Sequence, residues 1–390
     1  MNHKYLNIPD NFLYEHNGHH TAKEIELQPE LWKHVHDQIF TEKNQIQAFL
    51  SPLLGLDDLN IVLTGAGSSA FIGFTVKNHV AKQFRKNTRA IPTTTLVTHF
   101  QSEIDTDKPV LFISFARSGN SPESIAVVDL AENYCKESYH IAITCNANGD
   151  LANRMGKMEN GFSIELPPET EDKGLAMTGS YTSMMLIAFL LPSVVKNQTN
   201  TDWVEEVSAA ASSVLSNHSG FLKELAEVPF DRIIFLGSGP LLGIAEESHL
   251  KVQELCDGIV IGKFDSFLGF RHGPKAIVNK DTILVSLFSS DDYVFQYEKD
   301  LTEQIILGRE VMKVVGVFPD EQKSQSLKTD HNIVLGYKKY NYEGLEYLPY
   351  VIPAQLIGFY KSLNLGLQPD NPSQNGTISR VVKGVTIYPA

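Results

Sequence analysis

The sequence predicts an α/β fold built twice over. Short β-rich runs alternate with longer helical patterns along most of the chain, as parallel sheets between helix layers require. Two strand ends look alike: N-I-V-L-T-G-A-G-S-S and R-I-I-F-L-G-S-G-P-L each close in G-x-G and open a helix. The 390 residues also exceed one ordinary core, so two similar domains are the default expectation. The predicted organisation is an N-terminal helical segment over 1–45, a first domain over 46–215, and a second over 216–390 that carries a C-terminal tail.

The first segment is polar and helical, with apolar residues at helical spacing in E-L-W-K-H-V-H-D-Q-I-F (30–40). Strands are predicted at 61–64, 110–115, 139–145 and 162–166 in the first half. In the second half they fall at 232–236, 258–264, 282–288, 311–318 and 332–335. M-M-L-I-A-F-L-L (184–191) meets Pro192 and is too short for a membrane span, so it reads as a buried helix.

The N-terminus lacks the charged-then-apolar pattern of a signal peptide. Cys135, Cys145 and Cys256 show no CxxC spacing and suit reduced thiols in a cytoplasmic protein. A formal net charge of −13 argues against a nucleic-acid partner. It also requires local donors for any anionic substrate, because the global field opposes one.

Such donors follow the run P-V-L-F-I, in S-F-A-R-S-G-N-S-P-E-S (114–124). A helix opening there offers unpaired backbone N–H groups and a positive dipole end. Gly119 allows close approach, Ser118 and Ser121 add hydroxyls, and Pro122 suits a first helical position. The plainer reading is a cap, with Ser121 accepting from the first turn. In the second half, S-L-F-S-S-D-D-Y (286–293) lines up with 114–121, and Asp291 and Asp292 would repel an anion there. Two further donor clusters, Gly67-Ser68-Ser69 and Thr178-Gly179-Ser180, favour a phosphate site, since loops at the carboxyl ends of parallel strands converge. A dinucleotide reading of G-A-G-S-S-A fails for want of a third glycine.

In A-E-E-S-H-L-K-V-Q-E-L (245–255), Glu247, Lys251 and Glu254 share a helix face at i, i+4 and i+7; composition alone reads this as a salt-bridged surface. F-D-S-F-L-G-F-R-H-G-P-K places Arg271, His272 and Lys275 in a loop, and the C-terminal segment holds Arg380 and Lys383. His16, His19 and His20 have no partner at ligand spacing, so no metal site is predicted. A G-x-S-x-G nucleophile elbow is absent.

Taken together, G-A-G-S-S-A-F-I-G, S-F-A-R-S-G-N-S-P-E-S, I-T-C-N-A-N-G, A-M-T-G-S-Y-T, L-G-S-G-P-L-L-G, E-S-H-L-K-V-Q-E-L and G-F-R-H-G-P-K resemble the sugar isomerase (SIS) fold. Within it they resemble the AgaS family of galactosamine-6-phosphate deaminase/isomerases, also labelled tagatose-6-phosphate ketose/aldose isomerases. The resemblance runs from about residue 24 to the end. It implies two tandem SIS domains, each a parallel sheet flanked by helices on both faces. It further implies that the first domain binds a sugar phosphate through Ser69, Ser118, Ser121 and Thr178 with the amides of Gly119 and Asn120.

By the same resemblance, Glu254 is the base, with Lys251 and Glu247 on its face and Arg271 in support. His272, from a neighbouring subunit, opens the sugar ring, and Lys383 falls near a C-terminal site lysine. Arg117 and Gly179 depart from the isomerase half of glucosamine-6-phosphate synthase, which has a polar residue and a lysine there. The implied activity is deaminating isomerisation of an amino-sugar phosphate in a homodimer or higher oligomer, with no cofactor or metal. An aldose–ketose isomerase without ammonia release and a non-catalytic phosphosugar sensor are the alternatives.

Overall fold

The computed structural model describes residues 4–199, 201–337, 344–373, 375–381 and 384–389. The chain forms two compact units. One comprises Glu30–Asp172, Gly179–Val204 and Ile378–Ala390; the other comprises Met1–Pro29, Lys173–Thr178 and Glu205–Thr377.

The first unit is built on a five-stranded sheet of β1 (Asn60–Thr64), β2 (Asn87–Ala90), β3 (Val110–Ala116), β4 (Ser138–Thr144) and β5 (Gly161–Glu165). All pairs are parallel, in the order β2-β1-β3-β4-β5. β3 is buried at every position, as a central strand covered on both faces must be, and this is why it reads as a continuous apolar run. The polar edge strand β2, N-T-R-A, alternates between exposed and half-buried residues. It is the strand of this sheet that sequence patterning did not predict.

The second unit repeats the plan with β6 (Arg232–Leu236), β7 (Ile261–Asp265), β8 (Thr282–Leu287), β9 (Lys313–Phe318) and β10 (His331–Val334). These strands are also all parallel, in the order β10-β9-β8-β6-β7. Renumbered within its own half, each sheet therefore runs 2-1-3-4-5, and the duplication read from two G-x-G strand ends is a duplication of topology. β7 starts at Ile261 and not at Gly258, where a φ of +74° makes a turn.

Both first strands feed a helix: α1 (Ser68–Phe84) after β1, and α4 (Pro240–Leu255) after β6. The first glycine of each G-x-G leaves room for that helix to return against the strand. A Cβ on Gly65 would lie 2.7 Å from Ser69, and one on Gly237 would collide with the Leu241 carbonyl. Both third strands likewise feed a helix, α2 (Pro122–Tyr134) after β3 and α5 (Asp292–Gly308) after β8.

The apolar run at 184–191 lies in α3 (Gly179–Val195), which continues through Pro192 and is buried over nearly its whole length. Trp32, at 0% exposure, donates its indole N–H to Thr182 Oγ1 at 2.9 Å, fixing the helix Gln28–Thr41 on α3. In the second unit α6 (Ile352–Asn364) packs on α4 so closely that a Cβ at Gly358 would meet the Lys251 carbonyl at 3.1 Å. Among the described residues no helix is long and apolar enough to cross a membrane. The three cysteines are free thiols, with Cys145 and Cys256 buried and Cys135 half-buried.

Candidate active site

In a 2-1-3-4-5 sheet the chain switches direction between its first and third strands, and the crevice outside their carboxyl ends is where ligands bind. In the first sheet that point is framed by loop 65–67 after β1 and loop 117–121 after β3. Gly119 adopts φ +68°, a conformation that other residues reach only with strain.

The loop is pinned from the 146–151 segment. Leu151 N–H donates to the Gly119 carbonyl at 3.0 Å, Asp150 N–H to Asn120 Oδ1 at 3.0 Å, and the Asn146 amide to the Ser118 carbonyl at 3.0 Å. Acceptors are thereby consumed, as an anion site requires. Ser118 Oγ accepts the Asn120 N–H at 3.3 Å, folding the loop on itself.

The capping reading of Ser121 is corrected by its geometry. Ser121 stands at the N-cap of α2, but its hydroxyl donates to Glu123 and caps no backbone N–H. In the second sheet the equivalent helix end is closed by the protein itself. Asp291 is the N-cap of α5 and accepts from Tyr293 N–H at 2.8 Å and Val294 N–H at 3.1 Å. About two turns further along α5, the fully buried Glu298 accepts the Ser289 N–H at 2.8 Å.

The strands superpose in register as the sequence indicated, because Ser114 pairs with Thr64 and Ser286 with Leu236 at the ends of equivalent strands. The loops differ in length. Ser114 to the cap Ser121 is seven residues (121 − 114), and Ser286 to the cap Asp291 is five (291 − 286), so Asp291 corresponds to Ser121 and not to Gly119.

Ser69 is buried in the first turn of α1, and Thr178 is buried immediately before α3. The donors that follow Thr178 have a resident anion. Asp172, at 1% exposure, accepts the Gly179 N–H at 3.1 Å and the Ser180 N–H at 3.0 Å, and takes the Ser180 hydroxyl as well. Sequence reasoning missed Asp172, because a cap seven residues upstream leaves no local spacing signal.

The second candidate group lies on α4. Glu247 and Lys251 are completely buried, and Lys251 Nζ is 3.2 Å from Glu247 Oε1 and 2.7 Å from Glu254 Oε2. The salt-bridged surface that composition favours is therefore not what forms: only Glu254, at 23% side-chain exposure, reaches solvent. Burial works against the Lys251 ammonium, yet the two carboxylates together hold its pKa above the ordinary lysine value.

His272 is exposed in the turn that follows Phe267–Phe270. Ser266 caps that short helix through Gly269 N–H at 3.0 Å. Arg271 pairs with Asp300 at 2.7 Å and Gln304 at 2.8 Å, and Lys275 with Glu310 at 2.8 Å, so the loop is tethered on both sides of His272. Lys383 lies outside the described residues. Ser69 and 118–121 belong to the first unit, whereas Thr178, Glu247, Lys251, Glu254, Arg271 and His272 belong to the second. Among the described residues no three His, Cys, Asp or Glu side chains gather as metal ligands would.

The SIS domain model matches residues 57–191. The D-galactosamine-6-phosphate deaminase AgaS of Escherichia coli O157:H7 is 38% identical over 374 residues, covering 95% of this chain and 96% of its own length. The chain belongs to the AgaS family. Another AgaS protein, the D-galactosamine-6-phosphate deaminase of Shewanella sp. (strain ANA-3), is 37% identical over 372 residues, covering 95% of this chain and 92% of its own. The crystal structure of tagatose-6-phosphate ketose/aldose isomerase from Escherichia coli matches with a TM-score of 0.86 at 36% identity, over 95% of this chain and 96% of that one. In this AgaS member the SIS match takes in Ser69, the 118–121 loop and Thr178, and leaves Glu247, Lys251, Glu254 and His272 beyond it.

Proposed function

We propose that this chain converts galactosamine 6-phosphate and water into tagatose 6-phosphate and ammonia. The observation that carries the chemistry is Glu254, a partly exposed carboxylate held 2.7 Å from a buried ammonium that a second, fully buried carboxylate balances. The buried Lys251 fixes the position of Glu254 without exposing a competing charge, and one face of the carboxylate stays open to substrate.

The phosphate is held by Ser69, Ser118 and Ser121 with the Gly119 and Asn120 amides, and by Thr178. Its binding replaces the Asn120 N–H bond to Ser118 Oγ and the Ser121 hydroxyl bond to Glu123. His272 moves the proton that opens the pyranose ring. Glu254 then takes the C2 proton of the open-chain amino aldehyde and returns it to C1. The aldehyde carbonyl becomes a C1 hydroxyl, and the C2 amine becomes a C2 ketimine. Water adds at C2 and ammonia leaves with the C2–N electrons, giving the ketose. Lys383 at the C-terminus opposes the charge that builds on oxygen during proton transfer. Lys251, fully buried between Glu247 and Glu254, acts on the base and not on the substrate oxygen, which corrects the direct role the sequence suggested for it.

His272 acts across a subunit boundary in this reading, within a cytoplasmic homo-oligomer. The exposed Ile259, Ile261 and Leu268 on the same stretch of chain are the kind of apolar surface that self-association covers. Ammonia release from galactosamine 6-phosphate and glucosamine 6-phosphate, measured side by side, tests the substrate. Release from the galacto sugar supports the reading. Release from the gluco epimer alone would overturn the substrate assignment, and ketose formation without ammonia would overturn deamination.

A further inference from the structure

The C-terminal segment is bound to the phosphate loop through one pair of arginines. Arg117, the residue before Ser118, is buried, and its Nη2 donates to the Arg380 main-chain carbonyl at 2.7 Å. Arg380 is in turn fixed by its own side chain. Its Nε donates to the Asp172 carbonyl at 2.8 Å, and its Nη2 pairs with Glu171 at 2.9 Å. Asp172 is the same residue whose carboxylate caps α3.

These groups meet at the end of β4. Burial pushes the Cys145 thiol up to about 12; a hydrogen bond with Thr170 opposes the rise, and Asp172, Arg117 and Glu171 all act on the same sulfur through their charges. The next residue back, Thr144, has its Oγ1 3.6 Å from where a Cβ of Gly119 would lie. Arg117, the phosphate loop and the Arg380 clamp are therefore one contiguous cluster within a single unit.

We propose that Arg380 is a positioning residue for phosphate recognition: it holds Arg117, and through Arg117 the 118–121 loop, in the geometry that binds a phosphate dianion. The inference rests on reading 117–121 as the phosphate loop. A guanidinium fixed by a carbonyl acceptor has its planar fork pre-oriented, so less freedom is lost when an anion is recognised. Arg380 itself touches no substrate, and its effect passes through the Arg117 contact.

The test is a double-mutant cycle on the full-length protein, with inorganic phosphate as the probe and affinity read by titration calorimetry. Arg380→Ala removes the Glu171 and Asp172 bonds while keeping the main-chain carbonyl, and it is expected to weaken phosphate binding about tenfold. Arg117→Gln is expected to weaken it at least as much, and the double variant no further than Arg117→Gln alone. If Arg117→Gln does not fold, Arg117→Lys takes its place, keeping the charge without the fork. A purely structural role would lower Tm in Arg380→Ala and leave the phosphate affinity of the folded protein unchanged. That result, or effects that multiply in the double variant, would overturn the proposal. Wild-type protein that binds no phosphate would instead overturn the phosphate-loop reading on which the proposal stands.

Discussion

Glu298 and Ser289 are joined by a 2.8 Å hydrogen bond from the serine N–H to the carboxylate, at the place in the second sheet where the first sheet carries its donor loop. The second copy of the fold thus holds a carboxylate of its own where the first presents donors to a ligand. Burial pushes the Glu298 carboxyl up to about 7, against the lowering effect of the Ser289 N–H.

A folded-state value above the ordinary 4.5 means that the native state holds this proton where the unfolded chain has lost it. Stability from this group is therefore present at low pH and is lost as the pH rises from about 4.5 to 7, by about 3 kcal/mol in all. Glu298→Gln keeps an acceptor for Ser289 and removes the titration. Urea denaturation of the two proteins is expected to diverge from pH 5 to pH 8, with the variant gaining.

Transplanting the second-copy cap into the first copy gives a converse experiment. Ser121→Asp places a carboxylate where Asp291 sits on α5, so it stabilises α2 by about 1 kcal/mol. The same substitution removes the Ser121 hydroxyl offered to phosphate and sets a negative charge beside the loop that binds it. Raised Tm together with a KM for the sugar phosphate at least tenfold higher is the expected pair of results, read by calorimetry and initial rates.

Lys251 lies between two carboxylates and is wholly buried. Lys251→Met leaves Glu247 without its countercharge in the interior, at a cost of about 3–5 kcal/mol. Adding Glu247→Gln to that variant is expected to restore much of the stability and none of the activity, because Glu254 still lacks its 2.7 Å partner. Chemical denaturation and turnover, measured on the single and double variants, separate the two roles of Lys251.

The legible parts of this fold are those that chain-local physics determines. β3 is buried on both faces and shows as V-L-F-I-S-F; the G-x-G ends show because Gly65 and Gly237 must let a helix pass. β2 was hidden because an edge strand half in solvent needs no apolar pattern. In the candidate site, the donors at 118–121 and the acidic Asp291 were readable as types. That Ser121 caps nothing was not, because it depends on Glu123 taking the hydroxyl.

The burial of Glu247 and Lys251 was not readable either, since i, i+4 spacing is identical on a wet face and a dry one. Asp172 and Arg380 act across 208 residues of chain, a separation that no spacing rule spans.

The most direct test of the central claim uses Glu254→Gln alone, with ammonia release from galactosamine 6-phosphate and phosphate binding measured on the same preparation. Ammonia formation reduced at least a hundredfold with phosphate affinity intact is the predicted result, since the base is removed and the 118–121 loop is untouched. Full ammonia release by the variant would contradict the account, because the proton would then be moved by another group.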